Sequence, residues 1–204
     1  MPYSSELLKQ YADGKRDFGQ MSLRGIFVSE ACLIDVNFAQ AYLANANFSR
    51  SDLRSSDFTE ADLSQAMFWQ TDLSQARFHL ANLGRANLIR AVLTETDLTQ
   101  ATLQDADLRL ANLTNANLHQ ADLANADLGF ANLTGANLAG ADLTRANLTG
   151  AVLHRADLRG ACLDKALLGK TDLSTAILDG VDLDKSLADE IRQIIATPSM
   201  QQSA

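Results

Sequence analysis

Ala121-Asp122-Leu123-Ala124-Asn125 is one of a long series of five-residue units that decides the fold of this chain. Every fifth residue from Phe18 to Leu183 is a large apolar side chain, at 34 consecutive positions filled by Leu or Phe with one Val, at Val28. The residue two places before each of them is nearly always small, most often Ala, although Arg16, Met21 and Ile26 break this rule and make the first coil irregular. Because the register never slips, one architecture must accommodate the whole series.

A period of five excludes both common secondary structures. On an α-helix, residues i and i+5 are separated by about 500° of rotation, so the leucines would spiral around the axis. On a flat strand, an odd step would send alternate leucines to opposite faces. Either arrangement would expose about half of the leucines, at about 1.5–3 kcal/mol each. The chain is therefore expected to turn at every repeat and to stack its coils as a solenoid.

The phenylalanines indicate how many repeats form one coil. Those at positions 38, 48, 58, 68 and 78 alternate with Leu at a spacing of ten residues. In a coil of four repeats the rings form two opposite columns, and four Leu or Phe with four small side chains fill the interior without a lumen. The sequence therefore predicts a four-sided coil, repeated about 8.5 times over residues 16–185.

Units such as Ala131-Asn132-Leu133-Thr134-Gly135 and Ala141-Asp142-Leu143-Thr144-Arg145 resemble the A(D/N)LXX motif of the pentapeptide repeat family. The resemblance covers about residues 16–185. It implies an all-β solenoid, namely a right-handed quadrilateral parallel β-helix. The opening at residues 7–18 is similar to the lead-in of several cyanobacterial members of that family.

Both ends of such a solenoid need covers, because an open end offers unpaired backbone groups to other chains. We expect residues 1–15 to form an N-terminal capping segment, with a short helix after Ser5 that ends near Gly14. At the other end, Ser186 and Asp189 are typical of a capping box, which predicts a capping helix over residues 186–198. We expect the tail 199–204 to be disordered.

Membrane and secretion signals are not found in the sequence. No apolar run approaches the length of a transmembrane helix, and the first 30 residues lack the apolar core of a signal peptide. Cys32 and Cys162 would lie about 31 Å apart along the solenoid axis, too far for a disulfide. The sequence therefore predicts a cytoplasmic protein with no membrane association and no cofactor.

Three histidines and several columns of aspartates are the groups that could carry chemistry. His79 and His119 would share a face but lie two coils, about 10 Å, apart, which is too far to share a metal ion. The aspartates interchange with Asn along the repeat, as expected of turn residues that bond their own backbone. No phosphate loop, nucleophile elbow or Cys cluster is present. We expect solvated histidines, no catalytic or metal site, and no enzymatic activity.

The strict register assigns every surface residue to one of four faces, and one face differs from the others. Three faces carry an excess of acidic residues. The fourth, here called the Val28 face, comprises the repeats centred on Val28 and on every twentieth residue after it, and its arginines and lysine outnumber its acids. It also carries outward-facing apolar side chains, and two of its arginines flank Trp69 within cation–π reach. The candidate interface residues on this face are Phe27, Arg50, Met67, Trp69, Ile89, Arg90, Arg109, Leu110 and Phe130.

Exposed aromatic residues rimmed by arginine are typical of protein-binding hot spots. We therefore expect a non-enzymatic interaction, scaffold or regulatory module that binds a protein partner, or a second copy, through the Val28 face. One alternative is that these residues only support the wall by pairing with their ladder neighbours.

Another alternative comes from the resemblance, because some relatives protect DNA gyrase by imitating acidic duplex DNA. The net charge of −8 fits that idea in sign. A duplex of about 41 Å, the expected length of the solenoid, carries about 24 negative charges, so the magnitude does not fit. The acidic balance also disfavours direct binding to nucleic acid.

Overall fold

Stacked coils of 20 residues form the body of the molecule. The computed structural model describes residues 2–181. Each bridge in these coils is parallel and joins residues 20 apart, from Asp17↔Asn37 to Asp157↔Ile177. Within the described range the bridges are one residue long, because a turn follows each of them. This register agrees with the four-repeat coil that the phenylalanines predict.

The repeat 86–90 shows how the backbone amides are satisfied. The amides of Leu88 and Arg90 donate to carbonyls of the next coil at 2.7 and 3.0 Å, and that of Asn87 donates to the previous coil at 2.9 Å. The amide of Ala86 closes a turn onto the carbonyl three residues earlier at 3.0 Å. The fifth amide, that of Ile89, donates to the side-chain oxygen of Asn87 at 3.1 Å. Since all five amides are paired, this wall offers no free strand edge.

The fifth position of the repeat adopts the left-handed conformation. Its φ lies between 53° and 61° at residues other than glycine, from Gln20 to Lys170. A turn with positive φ at its third residue favours glycine, and any other residue costs about 1–2 kcal/mol there. The bonds between coils must therefore hold these turns in place.

Third-position Leu and Phe and first-position Ala fill the interior. The third-position residues from Phe18 to Leu173 are all buried. Phe58 and Phe78 stack with ring centroids 4.9 Å apart, Phe48 and Phe68 stack at 5.3 Å, and the two columns meet edge-on where Phe58 and Phe68 lie 6.1 Å apart. Such aromatic pairs contribute about 0.5–1.5 kcal/mol beyond the area they bury.

Helix α1, Pro2–Ala12, packs on the first coil. Leu7 is buried in the core, and the Tyr11 hydroxyl donates to the Ile34 carbonyl at 2.9 Å. The Phe27 amide, which has no preceding coil to bond, donates to the Ser4 hydroxyl at 3.2 Å. The expectation of a helix that starts after Ser5 is wrong by several residues, since proline suits the first turn of a helix.

The C-terminal expectations lie outside the described residues. These are the last repeat residues up to 185, the helix over 186–198 and the disordered tail 199–204. Between residues 2 and 181, no helix is long and apolar enough to cross a membrane.

Candidate functional site

A shallow groove on the Val28 face gathers most of the candidate residues. It has a volume of about 390 Å³ and crosses four successive coils. Its lining residues are Trp69, Ile89, Arg90, Arg109, Leu110, Gly129 and Phe130. Six of the nine residues singled out from the sequence therefore lie together, in two adjacent columns of the wall.

The rim of the groove is strongly exposed, whereas its floor is not. Phe130 and Leu110 expose 63% and 49% of their surface, while Trp69 and Ile89 are half-buried and Gly129 is buried. Phe130 and Leu110 occupy adjacent fifth positions with φ of 59° and 60°, where bulky residues are uncommon. Most other fifth positions in this chain carry polar residues or glycine.

Three candidates lie outside the groove. Phe27 is 55% exposed on the first coil, and Met67 is 41% exposed in the same repeat as Trp69. Arg50 forms an ion pair with Glu30 at 2.7 Å. No arginine lies over the Trp69 ring in the part of the chain that the structure describes, so the expected cation–π contact is wrong. For Arg50 the reason is the carboxylate one coil earlier in its own column, which offers a charge-assisted bond.

The two arginines of the groove differ in their partners. Arg109 donates to both carboxylate oxygens of Asp107, at 2.8 and 2.7 Å, and its Nε lies 3.8 Å from Asp127. The bonds to Asp107 raise the pKa of Arg109 above its ordinary value. Arg90 is exposed, and its side chain forms no ion pair or hydrogen bond within residues 2–181. Arg90 is therefore the unpaired charge at this site.

Met67 changes the hydrogen bonding of the wall at Trp69. Where the second position is Asn or Asp, its side-chain oxygen accepts from the fourth-position amide, as Asp127 does for Gly129 at 2.9 Å. Met67 has no such oxygen. Within the described residues, neither the amide nor the indole Nε1 of Trp69 donates to any group. The groove thus contains unpaired donors beside its apolar rim.

Two glycines that sequence reasoning did not single out shape this site. Gly129 lines the groove as the smallest residue of the Trp69–Ile89–Arg109 column. Gly150 follows Phe130 in the neighbouring column and lies against its ring. The 20-residue register places Gly129 and Gly150 beside the candidate residues. A glycine next to a large exposed side chain is therefore the sequence feature that predicts their part in this site.

The aspartate columns bond their own turns, as the sequence predicts. Asp52 accepts from the Arg54 side chain at 2.8 and 2.6 Å and from the Arg54 amide at 3.3 Å, and these bonds lower the pKa of Asp52. In the described range, no three His, Cys, Asp or Glu residues cluster as metal ligands. One histidine is not solvated as expected, because the Nδ1 of His119 is buried without a hydrogen-bond partner in that range.

Two larger cavities on other faces are weaker candidates. One, of about 610 Å³, lies beside Gln40 and Glu60, and the other, of about 540 Å³, lies beside Arg85 and Asp105. Gln40 donates to Glu60 at 2.9 Å, and Arg85 pairs with Asp105 at 3.5 Å. Because these polar groups bond one another across coils, the groove on the Val28 face is the better binding site.

The fold and the groove define a parallel β-helix solenoid whose candidate site lies on its wall. The family model described as pentapeptide repeats matches residues 31–70, 56–94, 91–129 and 131–169, with eight copies of the repeat. The chain belongs to the pentapeptide repeat family, whose members form right-handed β-helices.

Several solved structures are similar to this chain. HetL, a pentapeptide repeat protein involved in heterocyst differentiation regulation from the cyanobacterium Nostoc sp. strain PCC 7120, is 34% identical over 87% of this chain and 91% of HetL, with a TM-score of 0.46. A trypsin-treated form of QnrB1, a plasmid-mediated fluoroquinolone resistance protein, is 19% identical over 90% of this chain and 98% of its own, with a TM-score of 0.62. The likeness to QnrB1 shows the fold alone. No curated protein matches this chain.

Proposed function

We propose that this chain is a non-enzymatic interaction module that binds a protein partner through the groove on the Val28 face. The observation that carries the proposal is the pair of large apolar side chains, Leu110 and Phe130, that stand exposed at adjacent turns above the groove. Contiguous exposed apolar side chains on a soluble domain mark interaction surfaces, and aromatic residues dominate such surfaces energetically.

The remainder of the wall supports this assignment. Where the second position of this face is Asn or Asp, as at Asn87 and Asp127, its side-chain oxygen accepts from the fourth-position amide, and polar residues or Gly occupy the fifth positions other than Leu110 and Phe130. Met67 forgoes that hydrogen bond at Trp69, at a cost of about 0.5–1.5 kcal/mol. Met67 instead adds exposed apolar area beside Trp69, which a binding surface can use. The free thiols of Cys32 and Cys162 fit our further proposal that the chain acts in the cytoplasm.

The experiment is affinity capture from cells of the source organism with the intact chain and two variants. The first variant is Trp69→Ser with Phe130→Ser, and the control is Leu80→Ser. Leu80 is 49% exposed at the same fifth position, with φ of 58°, but its repeat belongs to another face. We expect a protein that the intact chain and the control retain and the double variant loses, with unchanged circular dichroism.

The captured protein is then purified and titrated by calorimetry, while light scattering gives the oligomeric state of the chain. A homodimer that the double variant abolishes would support the same surface with a second copy as partner. Equal retention of every captured protein by the double variant and the control would overturn the proposal.

DNA mimicry is not the function that we propose. Several acids that would imitate phosphates are neutralised by arginines on their own walls, such as Asp57 by Arg77 at 2.7 Å and Asp157 by Arg159 at 2.6 Å. We expect no effect of the chain on gyrase supercoiling. A salt-sensitive effect on supercoiling that survives Trp69→Ser with Phe130→Ser would favour mimicry instead.

A further inference from the structure

We propose that the groove recognises an acidic and apolar peptide segment of its partner, in which an aromatic or aliphatic side chain lies close to Asp or Glu. The inference rests on the proposed function and adds the chemistry of the occupant. It is carried by the charge and the hydrogen-bonding groups that the groove leaves unpaired.

The only side-chain charge free to meet an occupant among the described lining residues is positive. Arg90 has no carboxylate partner, whereas Arg109 is held by Asp107 at 2.7 Å and lies 3.8 Å from Asp127. Arg109 lies between Asp107 and Asp127, so this trio keeps one net negative charge next to the groove and cannot serve a second anion. A carboxylate on the partner is therefore the group that complements Arg90.

Two unpaired N–H groups of Trp69 also favour an occupant with hydrogen-bond acceptors. The amide and the indole Nε1 of Trp69 donate to nothing in residues 2–181. Both are free to donate to an occupant, and a peptide supplies acceptors as backbone carbonyls and carboxylates. The exposed rings and methyl groups of Phe130 and Leu110 need apolar cover, which an aromatic or aliphatic side chain provides in a groove of about 390 Å³.

The backbone of the wall excludes recognition by strand addition. The amides of Leu88, Arg90 and Leu110 already donate to the next coil at 2.7, 3.0 and 3.0 Å. A peptide therefore cannot add as a further strand along this wall, and side-chain contacts must provide the affinity.

A polyanion fits the site less well than a peptide. Phosphates accept hydrogen bonds and bases stack on aromatic rings, but the chain carries a net charge of −8 and Arg90 is a single cation. At physiological salt, charges within about 8–10 Å are only partly screened, so the neighbouring acidic walls repel a nucleic acid. A short peptide with one or two carboxylates meets less of that repulsion.

The test begins with selection from a random peptide display library on the intact chain. Selected sequences are synthesised with a fluorescein label and titrated by polarisation. The key variant is Arg90→Glu, and its matched control is Arg145→Glu, at a fifth position with φ of 58° on another wall. We expect selected peptides to combine Trp, Phe or Leu with Asp or Glu, and Arg90→Glu to weaken them about tenfold or more. The control should change the affinity less than about twofold.

Four results would overturn the inference. These are selected peptides without acidic residues, failure to select any peptide, equal effects of Arg90→Glu and its control, and tighter binding of a fluorescein-labelled oligothymidine than of any peptide. One of these results can occur although Trp69→Ser with Phe130→Ser still abolishes capture of a partner. In that case the proposed interaction module is supported, and only the inference that the partner segment is acidic is wrong. If the double variant retains every captured protein, the proposed function itself fails.

Discussion

The ring of Phe130 lies against Gly150 in the following coil. A Cβ atom at Gly150 would come within 2.6 Å of Phe130 Cε1 and 2.7 Å of Cδ1, closer than such atoms approach in proteins. Glycine at this position therefore lets the exposed ring lie along the corner of the solenoid. The contact gives Phe130 a defined place at the edge of the groove although 63% of its surface is exposed.

Replacing Gly150 with Ala is expected to displace the Phe130 ring and weaken partner binding. The matched control is Gly160→Ala, because Gly160 has nearly the same φ, 66° against 68°, and nothing within 4 Å of its added Cβ. Both variants should lose about 1–2 kcal/mol of unfolding free energy through the left-handed conformation. Urea denaturation and titration of the captured partner measure the two effects. Equal binding by both variants would show that the Phe130 position does not matter.

The substitution Met67→Asn should stabilise the fold and impair binding. The new side-chain oxygen can accept from the Trp69 amide, as Asn87 does from Ile89, and a hydrogen bond of this kind contributes about 0.5–1.5 kcal/mol. The reverse change, Asn87→Met, should destabilise by a similar amount. Both are measured by urea denaturation beside partner titration. A neutral or destabilising Met67→Asn would contradict this account of the wall.

Removal of a phenyl ring from the core should lower the free energy of unfolding far more than removal of a ring from the groove. Phe58 is fully buried between Phe38 and Phe78, at centroid distances of 5.5 and 4.9 Å, so Phe58→Ala should lose about 3–5 kcal/mol. Phe130→Ala should change stability little, because most of its surface is already in water. Guanidinium denaturation distinguishes the two. A large loss for Phe130→Ala would mean that this ring supports the wall rather than a partner.

Acid should destabilise the protein partly through Asp157. The Arg159 side chain donates to this carboxylate at 2.9 and 2.6 Å and lowers the pKa of Asp157 in the folded protein. A lowered folded pKa contributes stability above the unfolded value of about 3.9, and that stability is lost as the pH falls through the folded pKa. Arg159→Gln should raise the pKa of Asp157, measured by carboxyl-carbon NMR titration. Its stability deficit relative to wild type should shrink from about pH 7 to about pH 3, and a constant deficit would exclude this pair as the cause.

The sequence predicts the wall better than it predicts the side chains upon it. A strict period assigns Trp69, Ile89, Leu110 and Phe130 to adjacent columns, and the groove lies there because backbone register determines column position. Side-chain direction depends on neighbours one coil away. Arg50 extends toward Glu30 rather than Trp69. The 20-residue register makes both residues neighbours of Arg50 but does not decide which of them its flexible side chain contacts.

The same limit applies at the turns and at the N-terminus. Residues such as Gln70 and Arg90 have a left-handed φ because the hydrogen bonds between coils impose it. Neither residue type prefers this conformation, so the sequence alone does not predict it. Helix α1 begins at Pro2, and the hydroxyl of Ser4 in its first turn accepts from the Phe27 amide of the first coil. Contacts of this kind join distant parts of the sequence.

The 20-residue register also determines which changes in length the molecule can accept. Each coil bonds only its two neighbours, so excision of one whole coil, such as residues 31–50, would shorten the rod and leave every later side chain on its own wall. Excision of one repeat would keep the core pattern intact yet turn all later residues by a quarter revolution. The same loss made between Ile89 and Leu110 would divide the groove between two walls. Loss of a single five-residue repeat is therefore compatible with the fold but destroys the binding groove.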